Sequence, residues 1–182
     1  MLQVAAIAFC AFGLFTGDPW RSGLQPGQRP GPYSSVVSTG LQRGQSHCFV
    51  CETADRPAVI VFARSISAPL TKLAVELDRV LRDHAKAELR CWITFLSADQ
   101  LNLDPKLVAW SRENSLRSVP LSVFEDLVGP PSYRLASDAD VTVLFSVKQK
   151  VVANYAFRAG ELDDKHVLEM IKKLPKVLLP GS

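Results

Sequence analysis

At 182 residues, 47% hydrophobic and 21% charged, the chain has the size and composition of one globular domain with a sizeable core. Its 21 basic and 18 acidic residues leave a net charge of only +3, and the Lys and Arg are scattered along the chain. That distribution excludes a dedicated nucleic-acid groove.

The apolar run Val4 to Phe15 is too short to span a bilayer and suits the central region of a secretory signal, although no Lys or Arg precedes Arg21. Residues 1–17 are therefore expected to be a signal peptide, with small residues at Gly13 and Gly17 near its end, and the protein is expected to be exported, to a periplasmic or extracellular space. No membrane span is expected in the mature chain. Cys10 would leave with the signal, so the mature chain keeps Cys48, Cys51 and Cys91 in a compartment where disulfides persist.

From residue 18 to 44 the chain turns to Gly, Pro, Ser and Arg, with Pro26, Pro30 and Pro32 close together, an extended lead-in rather than a helix. The domain proper is expected over 45–180. Pro57 to Ala63, PAVIVFA, is a continuous apolar and β-branched run that fits a central strand covered on both faces. Leu70, Leu73, Leu77, Val80 and Leu81 then recur at helical spacing, with Lys72, Glu76, Asp78, Arg79 and Arg82 on the polar side. Ser67 is placed to cap that helix and Pro69 sits in its first turn.

Leu89 to Leu96 is a second strand, within which Cys91 reads as a small buried hydrophobe. Asp104-Pro105 marks the start of a short helix through Trp110, and Val119 to Phe124 a third strand. Val141 to Phe145 and Lys150 to Phe157 form a hairpin, and Asp163 caps a last helix striped by Val167, Leu168, Ile171 and Leu174. The order β-α-β-α-β-β-β-α calls for a mixed sheet covered on both faces.

Three segments resemble the thioredoxin fold in its redoxin and peroxiredoxin branch: the lead-in GLQPGQRPGPYSSVV, the strand-helix unit AVIVFARSISAPLTKL, and the closing hairpin and helix from Val141 to Leu174. The resemblance implies an α/β fold of three layers, α/β/α, around a central mixed sheet. In that family the reactive cysteine stands where the strand runs into the first helix, because a helix N-terminus lowers a thiol pKa. The matching turn here is Ser67, Ala68, Pro69 and Leu70, and it holds no sulfur. The family's proline ahead of the hairpin strand is also missing from Asp138-Ala139-Asp140-Val141, with Pro120 as the other candidate.

The implied function is an exported domain with a degenerate active site, non-catalytic or weakly redox-active, that binds an unidentified protein or small molecule through the surface around Ser65 to Leu70 and the loop before Val141. No cofactor is called for. The pair Cys48 and Cys51 leaves three readings open. As a disulfide it would clasp the entry to the central strand, worth about 2 kcal/mol for so short a loop. As a redox pair it would serve a thiol-disulfide oxidoreductase, with His47 beside it, although FVCETADRP reads as extended or turn and offers no activating helix. With His47 it would form an incomplete copper or zinc site of three ligands, where a closed zinc site needs four. His84 and His166 read as solvated, Trp92 and Trp110 as core, and Asp138 and Asp140 as loop caps.

Overall fold

The computed structural model describes residues 20–178; the signal-peptide expectation, with Cys10, lies outside them. Two short strands open the domain, β1 (Ser35–Val37) and β2 (Ser46–His47), followed by a one-turn helix α1 (Phe49–Thr53). The expected core order then follows: β3 (Ala58–Ala63), α2 (Ala68–Asp83), β4 (Arg90–Leu96), α3 (Gln100–Glu113), β5 (Leu121–Phe124), β6 (Ala139–Val147), β7 (Lys150–Arg158) and α4 (Asp164–Leu178).

The seven strands of the described residues form one sheet in the order β2-β1-β5-β4-β3-β6-β7. Strands β3, β4 and β5 run parallel, and β6 lies antiparallel to β3 from Ala58↔Ser146 to Ala63↔Val141. Every residue of β3 is buried, as its unbroken apolar run requires of a strand with both faces covered. On one face Val59, Val61, Ile93, Phe95 and Val143 meet Leu70, Leu73 and Leu77 of α2, Leu107 and Trp110 of α3, and Val167 and Met170 of α4. On the other, Ile60, Phe62, Trp92 and Leu144 meet Phe49 of α1, Tyr133 of a 3-10 turn, and Leu24 and Tyr33 of the lead-in.

The Pro- and Gly-rich lead-in is thus extended and packed against the sheet. The Asn154 side-chain amide donates to the carbonyls of Ser22 and Leu24, and the Gly27 and Val151 amides bond the Val151 and Gln28 carbonyls. Gly23, at φ +80°, stands with its missing Cβ position 2.7 Å from a Thr142 methyl, so a side chain there is excluded by both backbone and space.

Besides α1, helix α3 and the residue Asp78 depart from the sequence expectation. Helix α3 begins at Gln100, four residues before Asp104, because the Asp99 carboxylate caps it by accepting the Asn102 amide; Pro105 sits inside the helix. Asp78, expected on the polar side of α2, is buried, for a reason that lies in the loop ahead of β5.

Candidate functional site

Helix α1 corrects the reading of FVCETADRP as extended or turn. Cys48 is its N-cap, with φ −107° and ψ 91°, and its Sγ accepts the Cys51 amide at 3.2 Å. At the other end the Arg56 guanidinium donates to the carbonyls of Glu52 and Thr53, and the Thr53 hydroxyl donates to the Phe49 carbonyl at 2.7 Å. These caps satisfy the end groups of a helix too short to form alone. The usable sequence signal was the pairing of a cap-competent Cys48 with Arg56 four residues after Glu52.

Cys48 and Cys51 are joined as a disulfide, with Cα atoms 5.3 Å apart and Cys51 exposed. Beneath them Phe49 is buried and stacks on Trp92, centroids 5.5 Å apart and planes 20° apart. His47 Nε2 lies 2.8 Å from Glu52 Oε2, and its ring edges against Phe49 at 4.6 Å. With the sulfurs bonded to each other and His47 turned to Glu52, the three proposed metal ligands are not gathered. Among the described residues no group of three or more His, Cys, Asp or Glu is placed to hold a metal ion.

Beside α1 opens a cleft of about 350 Å³ that shares Phe49, Glu52 and Thr53 with the helix and is closed below by β4 and the loop before β5. It lies at the amino-terminal end of β3 and β4. The Ser67 turn follows the carboxyl end of β3, so the two regions are separated by the strand's length, roughly 17 Å at 3.3 Å per residue.

At that far end the side chains are occupied structurally. Ser67 Oγ accepts the Leu70 amide at 3.3 Å, and Leu70 is fully buried. Ser65 Oγ donates to Asp140 at 2.8 Å, and the Arg64 guanidinium collects the carbonyls of Ala139, Ala136 and Leu127. Asp138 accepts from Trp20 Nε1 and Arg158 Nε, at 2.9 and 2.8 Å, and Arg158 followed by Trp20 holds its carboxyl below the ordinary range. Asp138 and Asp140 therefore serve separate ties. Pro120 leads into β5, while the strand antiparallel to β3 is β6, whose entry has no proline.

The remaining residues fall as follows. His84 ends α2 through a backbone bond to the Val80 carbonyl, and the His166 amide bonds Asp163 in the first turn of α4. Trp110 donates from Nε1 to Thr71 Oγ1 at 2.9 Å. Cys91, the free cysteine of the described residues, is buried on the cleft floor, and burial pushes its thiol up. Burial does the same to the hydroxyls of Tyr33 and Tyr133.

Those three groups are held neutral in the fold and ionise more readily when it opens. Their contribution is complete below the ordinary values, 9.0 for Cys91 and 10.0 for the tyrosines, and is lost as pH rises beyond them. Urea midpoints are expected to fall progressively above about pH 9; a midpoint constant to pH 11 would contradict this burial.

The strand order, crossover helices and terminal hairpin define a thioredoxin-like fold of the redoxin type. Similar solved structures include a proposed protein disulfide isomerase of Bacteroides thetaiotaomicron, with TM-score 0.64 and 13% identity over 88% of this chain and 94% of that one. A proposed thiol:disulfide interchange protein DsbE of Chlorobium tepidum matches at TM-score 0.55 and 11% identity, over 81% and 99%. The exposed lipoprotein thioredoxin Etrx1 of Streptococcus pneumoniae matches at 0.55 and 12%, over 79% and 100%. No family model matches the chain, and no curated protein matches it.

The expected domain without active-site cysteines, non-catalytic or weakly redox-active and binding through a degenerate Ser67–Leu70 turn, is overturned. A CxxC pair at disulfide distance is present, seated on a helix N-terminus, in a fold common to thiol-disulfide proteins. The physical reason is that α1 provides, before β3, the helix start that the sequence reading sought only after it. Among the described residues no helix is long and apolar enough to cross a membrane.

Proposed function

We propose that the chain is an exported thiol-disulfide oxidoreductase that works through Cys48 and Cys51. The observation that carries the reading is the disulfide itself: an accessible CxxC bridge whose first sulfur faces the amide of the second cysteine at the start of α1. In the reduced form that amide and the helix start favour a thiolate on Cys48 over one on Cys51.

The Cys48 thiolate attacks a substrate disulfide; a Cys48–substrate S–S bond forms, and the departing substrate thiolate takes a proton from water. Cys51, deprotonated, then attacks Cys48 Sγ, which closes the Cys48–Cys51 bond and releases the second substrate thiol. Two electrons pass from the dithiol to the substrate, and the reverse sequence oxidises a substrate dithiol. His47, next to Cys48 in sequence, is hydrogen-bonded to Glu52. Export is supported by the persistence of disulfides outside reducing compartments and by the apolar Val4 to Phe15 run. The name of the Streptococcus pneumoniae relative, an exposed lipoprotein thioredoxin, agrees with it.

Equilibration with glutathione, followed by thiol titration, tests the reading. A potential well above about −300 mV is expected, together with disulfide-reductase turnover that Cys48→Ser lowers at least ~100-fold. Cys51→Ser is expected to accumulate a mixed disulfide with substrate, detected by mass. A bridge that resists reduction to about −300 mV with no turnover in the wild type would overturn the proposal.

A further inference from the structure

Resting on the oxidoreductase reading, we infer that the cleft beside α1 is the docking site for an extended, acidic segment of a protein substrate that carries the reacting cysteine. The cleft has an apolar floor, with Phe49, Trp92, Leu89 and Leu116, in a volume of about 350 Å³ that suits one or two apolar side chains. Leu41 stands at its lip with 98% of its surface exposed.

The rim gives the charge of the occupant. Arg90 and Arg117 both line the cleft, both are exposed, and neither has a carboxylate within ion-pair distance among the described residues. The one carboxylate on the rim, Glu52, is engaged by His47. An apolar floor ringed by two uncompensated guanidinium groups is complementary to a ligand that alternates apolar and acidic side chains.

The sheet supplies the backbone partner. β2 is the terminal strand of the sheet, and Gln45 accepts the Val37 amide, so by alternation the N–H and C=O of Ser46 face away from β1. Ser46 stands two residues before Cys48 and outside the cleft lining, so a segment seated in the cleft would pass Cys48 to reach this edge and pair with it by strand addition.

The probe is a short peptide alternating Asp and Leu around a central Ser, with a Lys-for-Asp counterpart, each titrated by calorimetry into the full chain. The acidic peptide is expected to bind roughly tenfold tighter at low salt, and the preference is expected to fade as salt rises. It is expected to vanish in Arg90→Gln/Arg117→Gln, and the uncharged Leu41→Ser is expected to weaken both peptides. Equal affinity for both peptides, or displacement of the acidic one by equimolar glutathione, would overturn the docking proposal. A second pair of peptides, with the central residue a cysteine in an activated mixed disulfide, separates the two claims. Charge-dependent binding without exchange leaves the docking site standing and removes the oxidoreductase reading; exchange at equal rates for both charges does the reverse.

Discussion

Replacement of Trp92 by alanine is expected to destabilise the protein by about 3–5 kcal/mol, the range for truncating a buried aromatic side chain. Trp92, the third residue of β4, is 1% exposed and carries two dependent structures. Its ring is the platform on which Phe49 stacks, and through Phe49 it seats α1 and the cysteine pair. Its Nε1 donates to the Tyr33 hydroxyl at 2.8 Å; Tyr33 bonds Thr94 at 2.8 Å, Thr94 meets Ser122 at 3.1 Å, and Ser35 donates to Ser122 at 2.9 Å. The chain of hydroxyls links β4 and β5 to the lead-in and β1. Truncation therefore opens a cavity under α1 and leaves one end of a buried network short of a donor.

Trp92→Phe keeps an aromatic ring to face Phe49 but loses the N–H and the second ring of the indole, for an expected cost of about 1–3 kcal/mol. Urea unfolding followed by circular dichroism measures both. The alanine variant is also expected to be reduced faster by dithiothreitol, because α1 loses its support. A loss below 1 kcal/mol for the alanine variant would show that Trp92 does not support α1 and the hydroxyl network in this way.

Much of the fold was legible because its signals are local. The apolar run of β3, the 3.6-residue spacing of Leu70, Leu73 and Leu77, and the caps at Ser67 and Asp163 each depend on neighbours in sequence. The hairpin turn was readable by length, although Lys148 and Gln149 both adopt positive φ, at 48° and 58°, without the Asn or Gly that such turns favour. The site was less legible because its determinants are long-range. Helix α1 is five residues long and has no periodicity to detect; it forms because Phe49 finds Trp92, forty-three positions away, and because Arg56 closes its end. The cleft joins loops around positions 40, 90 and 117, which only the sheet order brings together. The turn at Ser67 holds no sulfur, but a missing group at one end of β3 is no evidence about chemistry at the other.

Asp78 shows the same limit, and Asp78→Ala is expected to cost about 3–5 kcal/mol. The residue is 2% exposed, and its Oδ1 accepts the amides of Arg117, Ser118 and Val119 at 2.8, 2.6 and 3.2 Å while Oδ2 pairs with Arg82. In sequence it reads as one more charge on a polar helix face. In the structure the loop before β5 folds back over α2, and three successive backbone donors need one acceptor there. Alanine leaves all three without this acceptor, the Val119 amide in a buried place. Asn retains an acceptor without the charge, for an expected loss of about 1–2 kcal/mol.

Arg82, half exposed, contributes an ion pair worth under about 1 kcal/mol, so Arg82→Ala is expected to be mild. The expected order of loss in urea unfolding is Asp78→Ala, then Asp78→Asn, then Arg82→Ala. Equal losses for Asp78→Ala and Arg82→Ala would mean that the ion pair, rather than amide capture, is what Asp78 contributes. Because Arg117 is one of the captured residues, Asp78→Asn also offers a folded protein in which the cleft rim is loosened. Its preference for the acidic peptide is expected to fall with no change to Arg90 or Arg117 themselves, which ties the buried carboxylate to the docking surface above it.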